Sequence, residues 1–224
     1  MDSRQHTTDP IVTGSFVIGL KYNGGVLLGA DCLASYGSLA RFREIERLKA
    51  IGKHTVIGAS GEYSDFQFLT RKLEEIDRQD SFTGSAITTE KSPSAFHSYV
   101  SRLMYNKRNK FDPLYNSVLV AGYSDGSAFL GMADHHGTSF VDDAIATGFG
   151  NHLAMPLLRK ILEERPASTL PYEDAVEVMK TCFRVLFYRD GRTMNKFQIA
   201  RVNADGTDIS ESFSLDTEWQ FRGF

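Results

Sequence analysis

The period of the apolar positions changes several times along the chain. Residues 16–22 and 26–30 are almost continuously apolar and are separated by Asn23-Gly24. Asn-Gly between two such runs predicts a hairpin, and strands apolar on both sides predict a sheet covered on both faces. Gly19 and Gly29 inside these runs point to close approach of another element. Further strands are predicted near 47–51 and 55–59. The period then lengthens. In 62–78 the apolar residues Tyr63, Phe66, Leu69, Leu73 and Ile76 recur at helical spacing. Ser92-Pro93 opens a second helix, with serine as N-cap and proline at the first helical position. Its stripe is Phe96, Tyr99, Val100, Leu103 and Met104, and the polar stretch 80–91 before it reads as a loop.

Strand patterning returns in 117–123 and 127–133, around Ser124-Asp125-Gly126. A second helix pair follows. Residues 151–164 carry Leu153, Leu157, Leu158, Ile161 and Leu162, with Pro156 close enough to the start to be tolerated. Residues 171–188 carry Val176, Met179, Phe183, Leu186 and Phe187. Glu173 and Asp174 suit the positive end of that helix, and Arg184 and Arg189 its negative end. Residues 197–202 and 208–209 close a last hairpin around Asp205-Gly206. Strands, two helices, strands, two helices, strands, with no linker between them, predict one α/β (α+β) domain with helix layers outside two stacked sheets. A polar leader over 1–14 and a tail over 211–224 bracket a domain over 15–210.

Composition narrows the function. The chain has 224 residues, 42% of them apolar, which is enough for a core. A net charge of −3 is too weak to suggest a nucleic acid or a membrane surface as partner. No apolar run approaches the roughly 20 residues of a bilayer span. The stretch 1–10 has no hydrophobic segment and does not read as a signal peptide. Cys32 and Cys182 lie far apart in apolar contexts, so neither a disulfide framework nor a CxxC site is expected, and a reducing compartment fits them.

Most of the suggestive clusters have plain readings. Asp134-His135-His136 falls at a turn, and neighbouring side chains on a strand point to opposite faces, so no metal site is expected there. The basic run 105–110 suits a helix C-terminus. His54, His97 and His152 have no local catalytic partner, and Thr147-Gly-Phe-Gly150 lacks the lysine and spacing of a phosphate loop.

One set of motifs does fit a known pattern: Gly14-Ser15, Gly25-Val-Leu-Leu-Gly-Ala-Asp31, Tyr36-Gly-Ser-Leu-Ala-Arg41, Gly58-Ala-Ser-Gly61 and Tyr188-Arg-Asp190, in this order. Together they resemble the β subunits of the 20S proteasome, over nearly the whole chain. The stretches 7–14 and 35–42 are most similar to members at the seventh position of the β ring. The resemblance implies the four-layer αββα sandwich of N-terminal nucleophile hydrolases. In active members a threonine attacks the peptide carbonyl and its own α-amine is the base, so the nucleophile must be the first residue of the mature chain. By the family spacing, the nucleophile position is Ser15, the aspartate Asp31 and the lysine Arg47. Gly61 matches the oxyanion glycine, Asp190 the later site aspartate and Thr193 a supporting serine. Phe149 stands where active members carry a serine. A guanidinium cannot shuttle a proton as lysine does, and Ser15 has no free amine in this numbering. The resemblance therefore implies a non-catalytic subunit that builds the ring in cytoplasm and nucleus, beside α and β partners, without cofactor or metal.

Two other readings stay open. One is an active hydrolase using Ser15 after cleavage at Gly14, and the other is a stand-alone binding protein. Asp31 and Arg47 are expected to pair. The tail carries Phe213, Trp219, Phe221 and Phe224, aromatic anchors typical of interfaces. The resemblance implies that this tail extends across to the opposite β ring.

Overall fold

The computed structural model describes residues 9–82 and 91–220. The strands are β1 (Val12–Gly14), β2 (Val17–Tyr22), β3 (Gly25–Asp31), β4 (Ala34–Tyr36), β5 (Leu39–Phe42), β6 (Leu48–Ala50), β7 (Thr55–Glu62), β8 (Asn116–Ser124), β9 (Ser127–Asp134), β10 (Ser139–Val141), β11 (Ala144–Ala146), β12 (Phe197–Asn203) and β13 (Gly206–Ile209). The helices are α1 (Tyr63–Phe82), α2 (Pro93–Asn109), α3 (Gly150–Leu153), α4 (Met155–Glu164) and α5 (Tyr172–Arg189), with a 3-10 turn at Ala167–Thr169. One sheet runs β10-β9-β8-β7-β1-β4-β5, with β6 also on β7, and the other runs β11-β2-β3-β12-β13.

The layers follow from the period-two alternation of strand side chains. Val17 of β2, Val26, Leu28 and Ala30 of β3, Leu119 and Ala121 of β8, and Ala200 and Val202 of β12 meet between the sheets. Their neighbours face outward. Ile18, Leu20, Leu27, Phe197 and Ile199 pack under Leu158, Met179, Phe183 and Leu186 of α4 and α5. Ile57, Ala59, Val118 and Val120 pack under Phe66, Leu69, Leu73, Phe96, Val100 and Met104 of α1 and α2. Both sides of each central strand are therefore apolar, which is why the runs 16–22 and 26–30 show no alternation. The order of layers is helix, sheet, sheet, helix.

Local signals fix several boundaries. Ser92 caps α2, its hydroxyl accepting from the Ala95 N–H with Pro93 in the first turn. The helix expected over 151–164 is broken at Ala154 into α3 and α4, with Pro156 in the first turn of α4. Proline has no N–H to give to the preceding turn. The loop expected over 80–91 begins later than read, because α1 continues to Phe82; residues 83–90 lie outside the described ones.

The boundaries of leader and tail differ from the expectation. Residues 1–8 are outside the described residues, but Val12–Gly14 is not a leader: it is inserted as β1 between β4 and β7. At the other end, Phe213 was expected at an interface between subunits. It instead forms an antiparallel bridge with Phe197 and packs beside Phe183 of its own chain. Asn195 holds the next stretch, accepting from Leu215 N–H (2.8 Å) and donating to Leu215 C=O (2.7 Å). Trp219 touches Phe187 and Tyr188 edge-on yet stays 78% exposed. Phe221 and Phe224 lie outside the described residues.

Candidate functional site

Ser15 sits in the two-residue link between β1 and β2. Its hydroxyl donates to Asp190 Oδ2. Thr193 Oγ1 donates to the same oxygen (2.8 Å), and the Arg192 N–H donates to Asp190 Oδ1 (2.9 Å). Asp190 is the C-cap of α5 and is buried. Ser15 and the segment 190–193, far apart in sequence, thus meet because α5 ends beneath the start of β2. The contact gives Ser15 a carboxylate partner but no amine, since the residue before it is engaged in β1.

Arg47 and Asp31, expected to pair, do so. Arg47 Nη2 meets Asp31 Oδ1, and both side chains are buried. Nε and Nη2 also donate to the Asp31 carbonyl (3.1 and 2.9 Å), and Nη1 donates to the carbonyls of Phe16 (2.7 Å) and Ala59 (3.4 Å). Asp31 Oδ2 is buried without a hydrogen-bond partner. Burial pulls the guanidinium down to about 9, against the charge of Asp190, which pushes it up. It remains a cation at neutral pH, fixed by five contacts and unable to carry a proton to or from Ser15. The same side chain lies against Gly14: a Cβ there would stand 2.5 Å from Arg47 Cδ.

Gly61 faces Gly14 in the register of β7 and β1. It holds φ at +95°, and a Cβ would come within 2.1 Å of the Tyr115 carbonyl, so only glycine fits. On the other side, Gly148 is pressed onto the backbone of Ser15, where a Cβ would lie 2.0 Å from the Ser15 carbonyl. This brings Phe149 beside Ser15, 54% exposed and with no hydroxyl to offer. A groove of about 610 Å³ opens here, walled by Thr13, Ser15, Asn116, Phe149 and Arg192 among others.

Three residues at this site were not found from sequence. Glu62 accepts from the N–H groups of Ile11 and Val12 through Oε2, and from the Ser64 hydroxyl (3.0 Å) through Oε1. Thr147 Oγ1 accepts from the Val17 N–H (2.9 Å). Asn116 donates from Nδ2 to the carbonyls of Ser60 and Glu62. Each makes a hydrogen bond across fifty or more positions of chain, and no local pattern marks it. Asp134 has the role its turn suggested: its Oδ1 accepts from the N–H groups of His136 and Thr138.

Residues 11–202 match the family described as "Proteasome subunit". The chain belongs to the proteasome subunit family. It is 44% identical to proteasome subunit beta type-4 of Arabidopsis thaliana, over all of this chain and 88% of that one. It is 46% identical to proteasome subunit beta type-4 of Dictyostelium discoideum, over 97% of this chain and 82% of the relative. The probable proteasome subunit beta type-7 of Schizosaccharomyces pombe is 43% identical over 97% and 83%. As a proteasome subunit the chain is part of a multi-subunit protease. The two facing antiparallel sheets with helices outside them agree with this family's layered sandwich.

Proposed function

We propose that this chain is a non-catalytic β subunit of the 20S core particle, which builds the ring and chamber wall while neighbouring threonine-protease subunits cut peptide bonds. The names of its relatives support the β position. The observation that carries the non-catalytic reading is the path of the chain through Ser15. Gly14 is paired in β1 opposite Gly61, so Ser15 has an amide nitrogen, not an amine, at the position where this chemistry takes its base. Arg47, locked to Asp31, replaces the lysine. Losing the base and the lysine together removes a concerted unit. β1 also fills the slot between β4 and β7 that an extended peptide would need for strand pairing.

The partners under this reading are the other α and β subunits of a stacked-ring particle. The tail beyond Leu215 reaches the opposite β ring, with exposed Trp219 as its anchor. The particle works in cytoplasm and nucleus, reducing compartments that suit two free, buried thiols. The deciding experiment treats purified particles with a peptide epoxyketone and measures the intact mass of each subunit. The expected result is adducts on other subunits and an unmodified chain that still contains Gly14. A chain beginning at Ser15 and carrying the adduct would replace this reading with that of an active serine hydrolase.

A further inference from the structure

The C-terminal end of α2 carries more than a solvated helix end requires. Phe111 follows the C-cap Lys110 and holds φ at +55°. Its N–H donates to the Arg108 carbonyl (3.1 Å), and the Asp112 N–H donates to the Lys107 carbonyl (3.1 Å). This pair of bonds is the Schellman motif, in which the residue at the place of Phe111 is usually glycine, because a Cβ is disfavoured in the left-handed region. Among the described residues only Phe111 and Asp125 hold a positive φ without being glycine. Asp125 has the short polar side chain that tolerates it in a hairpin turn. Phe111 is bulky and 80% exposed. Backbone strain and a large apolar ring in water both oppose folding, and glycine here would remove both. Such an outlier in an exposed loop points to a use for the ring outside its own chain.

A second observation fixes the sign of charge around that ring. α2 contains Arg102, Lys107 and Arg108 and no Asp or Glu, in a chain whose net charge is −3. Lys107 is committed: its Nζ meets Asp112 Oδ2 at 2.6 Å and lies 5.5 Å from the centre of the Phe68 ring. Arg102, Arg108 and Lys110 are exposed and have no carboxylate partner among the described residues. Tyr105, three residues before Arg108, lies over Gly137 of the turn after β9, where a Cβ would meet its ring at 2.8 Å, and it stays half exposed. The negative end of a helix accounts for the cations, but not for two exposed aromatic rings or for the strained backbone of one of them.

We infer that Phe111 is the anchor of an interface, seated in an apolar pocket that carboxylates rim on a different subunit of the particle. Aromatic side chains in desolvated pockets dominate the energy of interfaces. Arg108 and Lys110, on either side of the anchor, match the acidic rim and reject a basic partner. A second copy of this chain does not fit, because a two-fold contact would set the cations of one copy against those of the other. Loss of water from the ring on docking repays what the strain and the exposure cost the isolated chain. The inference rests on membership of a multi-subunit particle and holds whether or not Ser15 is catalytic.

The test has two arms. In the first, p-benzoylphenylalanine replaces Phe111 in the full chain, purified particles are irradiated, and mass spectrometry maps the crosslinks. The expected result is a crosslink to one other subunit, in a segment that contains Asp or Glu. In the second arm, each variant is co-expressed with the wild-type chain under a different tag, and their ratio in assembled particles is measured. Phe111→Gly is expected to enter particles about tenfold less than wild type, while the unfolding midpoint of its unassembled chain is no lower. Phe111→Tyr is expected to compete as wild type. The double variant Arg108→Glu, Lys110→Glu is expected to fall as Phe111→Gly does, and Arg108→Lys is not. No crosslink between subunits, a crosslink only to a second copy or to nucleic acid, an equal share for Phe111→Gly, or a fall accompanied by a lower midpoint overturns the anchor. A crosslinked segment without carboxylates, or a share indifferent to the charge reversal, overturns the acidic partner.

Discussion

Arg47→Ala leaves the Asp31 carboxylate buried beside no cation, with one of its oxygens already lacking a partner. Breaking a buried pair from one side costs about 3–5 kcal/mol. The expected outcome is poor incorporation into particles, with unchanged peptidase activity per particle formed, measured by quantitative mass spectrometry and fluorogenic peptide turnover. Replacing both partners by apolar residues of similar volume is expected to recover much of that loss, since the attraction of a buried pair barely offsets its desolvation. The cysteines give a pH-dependent outcome. Burial pushes the Cys32 thiol up to about 11 and the Cys182 thiol up to about 12. Because the folded values exceed the unfolded one near 9, the folded chain holds these protons longer. Their contribution to stability is complete below about pH 9 and is lost as pH rises from there through the folded values. Native chain should therefore resist iodoacetamide at about pH 8, with Cys182 the slower, while urea-unfolded chain takes two labels; rapid native labelling would contradict the burial.

At the scale of elements, β1 depends on one carboxylate. Glu62 receives the N–H groups of both Ile11 and Val12, and hydrogen bonds to a charged acceptor contribute about 1.5–3 kcal/mol each. Glu62→Ala is expected to free the strand, which limited proteolysis would detect as faster cleavage ahead of Gly14, with α1 and β7 intact by far-UV circular dichroism. Unchanged protection would mean that the pairing of β1 with β4 and β7 suffices alone. The short strands β4, β5, β10 and β11 went unread in the sequence along with β1. Three or four residues contain too little period to register, and β5 and β10 are exposed along their whole length. Their ladders exist because longer neighbours offer an edge.

For the whole molecule, the tail joins two roles. Phe213 and Leu215 pack on the core formed by α4, α5 and the sheet beneath them, so deleting from 212 onward should destabilise the subunit. Deleting 217–224 spares both residues and removes Trp219. That variant is expected to fold and incorporate normally but to accumulate half-particles on native gels. Normal amounts of full particle would remove the tail from the joining of rings.

The layers, the long strands, the four long helical stretches and the Asp31–Arg47 pair were all legible in the sequence, because each rests on local periodicity or on a spacing that one family shares. Ser15, Asp31, Arg47, Gly61 and Asp190 were named from motifs alone. Their meeting was decided by tertiary structure: Asp190 reaches Ser15 only because α5 ends under β2. The roles of Glu62, Thr147 and Asn116 were likewise invisible, since a hydrogen bond between residues fifty or more positions apart leaves no trace in composition or period. The tail shows the same division. Its aromatic content marked it as sticky, but the pairing of Phe213 with Phe197 and the grip of Asn195 on Leu215 decided which part binds at home and which part is left exposed. Sequence fixes what a segment can bury, whereas the order in which surfaces meet depends on the closed chain as a whole.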